Sequence, residues 1–178
     1  MSAVILPVSG KQTLNEKPAG QVLLRDEARR LAEQVRKNFW GELLPVCAET
    51  VARRLGIKVA VTNLYGTALG VIVKKVGQEP QIFVEKDATC AFQNFICAHE
   101  IGHYLERTML LTIPDDDYGF VDRRFGETDI HEFFATVFAY HLLMPAEVLC
   151  RSDDTVSAAA QFNVPVHAVR DWHHSVKR

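Results

Sequence analysis

His99-Glu100-Ile101-Gly102-His103 is the segment of this 178-residue chain with the clearest capacity for chemistry. On a helix, residues four apart share a face, so His99 and His103 are expected to direct two imidazoles at one divalent cation. Glu100 follows the first of them, where a carboxylate can take a proton from a water held by that cation. Zinc is the expected ion, although a pair of histidines with a carboxylate also suits manganese or iron. Gly102 predicts close packing of this helix on a neighbour, because it presents no side chain. Without a metal, two imidazoles on an otherwise apolar face would need some other buried partner.

A catalytic zinc commonly has three protein ligands and keeps a fourth position open. Downstream, the candidates for the third ligand are Glu127, Asp129, His131 and Glu132. Glu132 is favoured because it starts a second apolar helix, which can cross the first and present a first-turn carboxylate. His131 competes as an imidazole, but it points about 100° away around that helix. A purely structural alternative is a capping box, in which Glu132 reaches back to the amide of Asp129.

The elements that must hold these residues are written in the spacing of apolar positions. Leu24, Ala28, Leu31, Val35 and Phe39 recur at helical intervals opposite Arg25, Arg29, Arg30 and Lys37. Pro45 suits the first turn of a further helix that ends at Gly56. Val59 and Val61, Val71 to Val73, and Ile82 to Val84 predict three short strands in a small antiparallel or mixed sheet. The motif helix is expected over 90–107, with Asp87 or Thr89 as its cap. A polar connection over 112–126 leads into the second apolar helix at 129–144. Two shorter helices follow at 155–162 and 165–174, joined at Asn163.

Composition narrows the function further. A formal charge of −2 argues against a general polyanion binder. Cys47, Cys90, Cys97 and Cys150 form no Cys-x-x-Cys pair, and they read as free thiols of a reduced compartment. The i−2 offset of Cys97 from His99 turns it away from the proposed ligands. Ala3-Val4-Ile5-Leu6 is too short for a secretory core, and no apolar run reaches membrane-spanning length. A cytoplasmic protein without a membrane partner is expected.

Two motifs taken together resemble the ImmA/IrrE family of metallopeptidases. The first is His99 to His103. The second is Glu132-Phe133-Phe134-Ala135-Thr136-Val137-Phe138-Ala139, running on to Leu142-Leu143-Met144-Pro145. The family pattern is a His-Glu-x-x-His helix, then Glu-x-x-Ala-Asn-x-Phe-Ala leading into Leu-Leu-Met-Pro, and the likeness extends over about Ile57 to Val169. The resemblance implies Zn2+ held by His99, His103 and Glu132, as in gluzincins, with Glu100 as the catalytic residue. It also implies an α+β fold: a zincin-like domain with a small three-stranded sheet, an active-site helix and a second ligand helix, plus a short helical C-terminal tail. On that basis the chain divides into an N-terminal arm (1–20), a metallopeptidase domain (21–145) and a helical appendage (146–178). Two positions depart from the pattern. Thr136 stands where the family usually has Asn, and Gln93 and Asn94 replace a basic residue often found before the motif.

Family members commonly act in gene regulation, so the resemblance implies a site-specific endopeptidase. Its partner would be a helix-turn-helix (Xre-like) repressor of a phage, mobile element or stress response. A second electrophile often assists such hydrolysis, and Tyr118, His131, Tyr140 and His141 are candidates between which the sequence does not choose. Two other classes compete. A zinc-binding regulatory or interaction module could use the same ligands without proteolysis. The segment 157–174 also resembles a helix-turn-helix and could bind DNA, though its second helix offers few outward basic side chains, His167 and Arg170 among them.

Overall fold

Leu24, Ala28, Leu31, Ala32 and Val35 form a buried stripe at helical spacing, and it makes α1 (Lys17–Phe39) one wall of the core. The stripe packs along α4 (Ile130–Leu143), whose residues from Phe134 onward are buried except Thr136. The structure, a computed structural model, describes residues 17–66, 68–110, 118–121, 130–150 and 154–176. Helix α1 starts at Lys17, so it takes in the last residues assigned to the arm at 1–20, while 1–16 lie outside the described part. No described helix is long and apolar enough to cross a membrane.

Helix α2 (Ala48–Arg54) ends as expected at Gly56, whose φ of +81° is the left-handed conformation that glycine adopts most easily. Its start differs from the expectation. Pro45 lies ahead of the helix, joined to Leu44 by a cis peptide bond, and Cys47 takes the N-cap position. The cap is supplied from elsewhere: the Asn94 Oδ1 accepts a 2.9 Å hydrogen bond from the Ala48 amide.

The three expected strands form, and a fourth joins them. β1 (Lys58–Thr62) runs parallel to β3 (Gln81–Glu85), with Val59 opposite Ile82. β2 (Gly70–Lys74) lies antiparallel on the other side of β3, with Ile72 opposite Ile82. The added strand, β4 (Tyr118–Val121), pairs antiparallel with β2 and gives the order β1-β3-β2-β4. Ile72, Ile82 and Val84 are buried on this sheet, which packs against α3 (Cys90–Leu105).

Thr89 caps α3, its hydroxyl accepting from the Phe92 amide at 3.3 Å. The helix loosens into a π-helical turn at Glu106–Leu110. After α4 come α5 (Ala146–Leu149), α6 (Thr155–Phe162) and α7 (Val166–Val176). Asn163 turns the chain between the last two in the left-handed conformation, with φ of +51°. The tail is docked on the domain. Asn94 Nδ2 donates to the carbonyls of Val46 at 3.0 Å and Asn163 at 3.2 Å, and Trp172 Nε1 donates to the Met144 carbonyl.

Candidate metal centre

The centre begins with the missing side chain of Gly102. A Cβ at this position would stand 2.8 Å from the Ala135 Cα and 3.1 Å from its carbonyl oxygen, so α3 and α4 meet backbone to backbone. That contact brings Glu132, one turn earlier on α4, over the face of α3 that carries the histidines. Glu132 Oε2 lies 3.2 Å from His99 Nε2, and Oε1 lies 3.3 Å from His103 Nε2. The two Nε2 atoms are 3.0 Å apart. Donors around a tetrahedral zinc, with bonds of about 2 Å, are separated by roughly 3.3 Å. The observed separations are close to that figure, each histidine meeting a different oxygen of Glu132, and the donor types are those zinc takes. Among the described residues no fourth His, Cys, Asp or Glu joins the group. Both histidines are buried, whereas the Glu132 side chain is 30% exposed, so it lies on the open side of the cluster.

Glu100 is fully buried beside the cluster. Its carboxylate lies against β2, where a Cβ on Gly70 would come within 2.7 Å of Glu100 Oε1 and 2.5 Å of Ile96 Cγ2. Strand and helix thus approach closely because residue 70 has no side chain.

A model of the Peptidase_M78 family, the IrrE N-terminal-like domain, matches residues 52–171, about two thirds of the chain. The chain belongs to this family. No curated protein matches it. The Peptidase_M78 match opens inside α2 and reaches into α7, taking in the sheet, both ligand helices and most of the tail. Helix α1 precedes it. The molecule therefore carries a metallopeptidase-like domain of α+β type with a His-His-Glu cluster able to hold a metal ion.

Within this Peptidase_M78 domain Glu132 is held ionised by its two histidine neighbours. Burial works against the Glu132 carboxylate, but hydrogen bonds and charge from His103 and His99 outweigh it and hold its pKa well below the ordinary carboxylate range. The carboxylate faces both histidines; Glu127 and Asp129, and with Asp129 the capping-box alternative, lie outside the described residues. Thr136 Oγ1 sits 3.4 Å from His99 Nδ1, so the residue that departs from the family pattern still faces the ligand's second nitrogen. Cys97 is buried apart from the donor group, and burial, then Glu49, Cys47 and Glu100, push its thiol far up.

Three of the four candidates for a second electrophile can be placed. His131 adjoins Glu132, and its Nδ1 lies 3.0 Å from Oε1 of the buried Glu106. Tyr140 is packed in the core, stacked on Trp172 at 5.3 Å and next to Phe95, and burial, then Asp171, raise its pKa. His141 lies nine residues along α4 from Glu132, about 13 Å down the axis. Tyr118 opens β4, and its side chain is outside the described part. Sequence reasoning missed Glu106, Gly70 and the capping role of Asn94. Glu106, three residues after His103 on a helix expected to bury that face, was the one signal available.

Proposed function

We propose that this chain is a metal-dependent, site-specific endopeptidase whose substrate is a helix-turn-helix repressor, so that cleavage changes gene expression. The observation that carries the hydrolytic reading is the convergence of His99, His103 and Glu132 into one group of metal-ligating atoms, with Glu100 next to the first ligand. Membership of the Peptidase_M78 family supports it. The repressor rests on the likeness to ImmA/IrrE proteins, and the −2 net charge and modest size are compatible with a protein partner.

A divalent cation, zinc by preference, supplies Lewis acidity and lowers the pKa of water towards neutrality when bound there. His99 and His103 offer Nε2 lone pairs, which requires their ring protons on Nδ1; Thr136 Oγ1 is placed to accept that of His99. Glu132 brings one negative charge and remains ionised throughout the neutral range. Glu100 takes the proton of the water attacking the peptide carbonyl and returns it to the leaving amine. His131, oriented by Glu106, is the candidate donor to the developing oxyanion.

Full burial of Glu100 favours a second reading, a metal-holding regulatory module that performs no proteolysis. Cleavage of a co-encoded repressor by wild type and by Glu100→Gln separates the two. The hydrolase loses cleavage in the variant while still binding zinc. A wild-type protein that binds zinc and repressor yet leaves the repressor intact belongs to the second reading. In the tail, Trp172, Val169 and Ala168 are buried against the domain while His167, Arg170 and Asp171 face outward, which favours packing over DNA binding. DNA affinity that falls with rising salt would reverse that choice.

A further inference from the structure

A cavity of about 250 Å³ opens between α1 and the corner where α4 passes into α5, and none of His99, Glu100, His103 and Glu132 lines it. Its walls include Arg25, Arg29 and Arg36 of α1, with His141, Pro145 and Trp172 opposite. His141 is only 8% exposed and makes no hydrogen bond among the described residues. One side of its ring meets Trp172 edge to face at 4.5 Å, and the indole N–H there is already donated to the Met144 carbonyl. Its ring nitrogens stay open to the cavity, where a bound polar group can meet them.

The charges around this ring select the kind of group. Asp26, Glu33 and Glu147 also line the cavity, which makes its formal lining charge balanced. The balance is not even at His141. Burial and then Arg29 and Arg25 push its pKa down to about 4, against the opposing pull of Glu147. Asp26 meets one nitrogen of Arg29, Nη2, at 3.3 Å, which occupies Asp26 and leaves the other nitrogens of that guanidinium to meet a bound group. A cation entering here would meet the two guanidiniums, and an apolar group would leave the imidazole unsatisfied. An anion satisfies both.

We propose that this cavity binds a compact oxyanion, the phosphate or carboxylate group of a small molecule, gripped by Arg25 and Arg29 over the imidazole of His141. The site belongs to this chain and not to the family domain alone, because its arginines lie on α1, ahead of the matched residues 52–171. Arg25 also stands 5.9 Å over the ring of Phe133, the residue after Glu132, so one of the two arginines reaches the first turn of α4.

The test uses the full-length, zinc-loaded protein with isotope-labelled histidine. Inorganic phosphate, acetate and chloride are titrated separately at equal ionic strength, and the histidine ring resonances are followed by NMR. The His141 signal is expected to shift saturably in the millimolar range with one or both oxyanions, while that of the exposed His167 stays still. Saturation by phosphate alone identifies a phosphate ester as the ligand class, and saturation by acetate alone identifies a carboxylate. Arg29→Gln and Arg25→Gln are each expected to weaken the effect about tenfold. Arg29 is 52% exposed, so its replacement leaves the core intact and decides the matter if Arg25→Gln disturbs Phe133. No saturable shift up to tens of millimolar, an equal shift with chloride, or a shift unaltered in Arg29→Gln would overturn the proposal.

Discussion

The Cα of Gly102 faces the backbone of Ala135 so closely that a methyl group on it would stand 2.8 Å from the Ala135 Cα. Backbone cannot rotate away as a side chain can. Gly102→Ala should force α3 and α4 apart and destabilise the protein by about 1–3 kcal/mol, despite the better helix propensity of alanine. It should also draw Glu132 away from His99 and His103. Urea unfolding and zinc competition against a chromogenic chelator measure the two effects. Zinc affinity equal to wild type would show that this crossing does not set the ligand spacing.

Glu106 and His131 tie the end of the motif helix to the first turn of the ligand helix through their 3.0 Å contact. Groups that orient a ligand-bearing turn are typically worth about 10–100-fold in metal affinity. Glu106→Leu is expected to lose at least the lower figure, and Glu106→Gln, which keeps a hydrogen-bonding group, to lose less. Chelator competition on the two variants checks this; the idea fails if the leucine variant binds zinc like wild type.

Asn94 joins three segments that are distant in the chain: the start of α2, the motif helix and the α6–α7 turn. Asn94→Ala leaves the Ala48 amide and two carbonyls without this partner in a buried place. A loss of about 2–4 kcal/mol is expected, read as a lower denaturation midpoint. A midpoint unchanged from wild type would mean that water or a local shift replaces the amide.

His141 should make the fold sensitive to mild acid. Its pKa falls from 6.5 to about 4 in the folded protein, through burial and then Arg29 and Arg25. The unfolded chain therefore takes up the proton first. Stability from this group is complete above pH 6.5 and is lost as pH falls from there towards 4, by up to about 3 kcal/mol. Denaturation of wild type and His141→Phe across this interval, in buffers without phosphate or carboxylate, should show the steeper slope in wild type. Parallel slopes would remove the assignment.

The parts of the site that obey local periodicity were readable before any coordinates. His99 and His103 are four residues apart on one helix, and the apolar run after Glu132 announced a second. Glu132 could be ranked above its neighbours, but its pairing with the histidines depends on a helix crossing that no local rule contains. β4 was hidden in a polar stretch with three consecutive aspartates and two glycines, since its pairing with β2 is a tertiary event. Pro45 looked like a helix start because the residue that actually fixes the start, Asn94, comes 46 positions after Ala48. The cavity around His141 was equally out of reach, for its walls come from α1, α4, α5 and α7.

Gly70 has an ordinary backbone conformation, so nothing in its own dihedrals forbids a larger residue; only Ile96 and Glu100 do. Position 70 is therefore a remote handle on Glu100, the proposed acid–base group. Alanine there would press on Glu100 Oε1 from the strand side and leave every proposed ligand chemically intact. Retained zinc with impaired turnover in such a protein would trace the defect to where one carboxylate sits, with its identity unchanged.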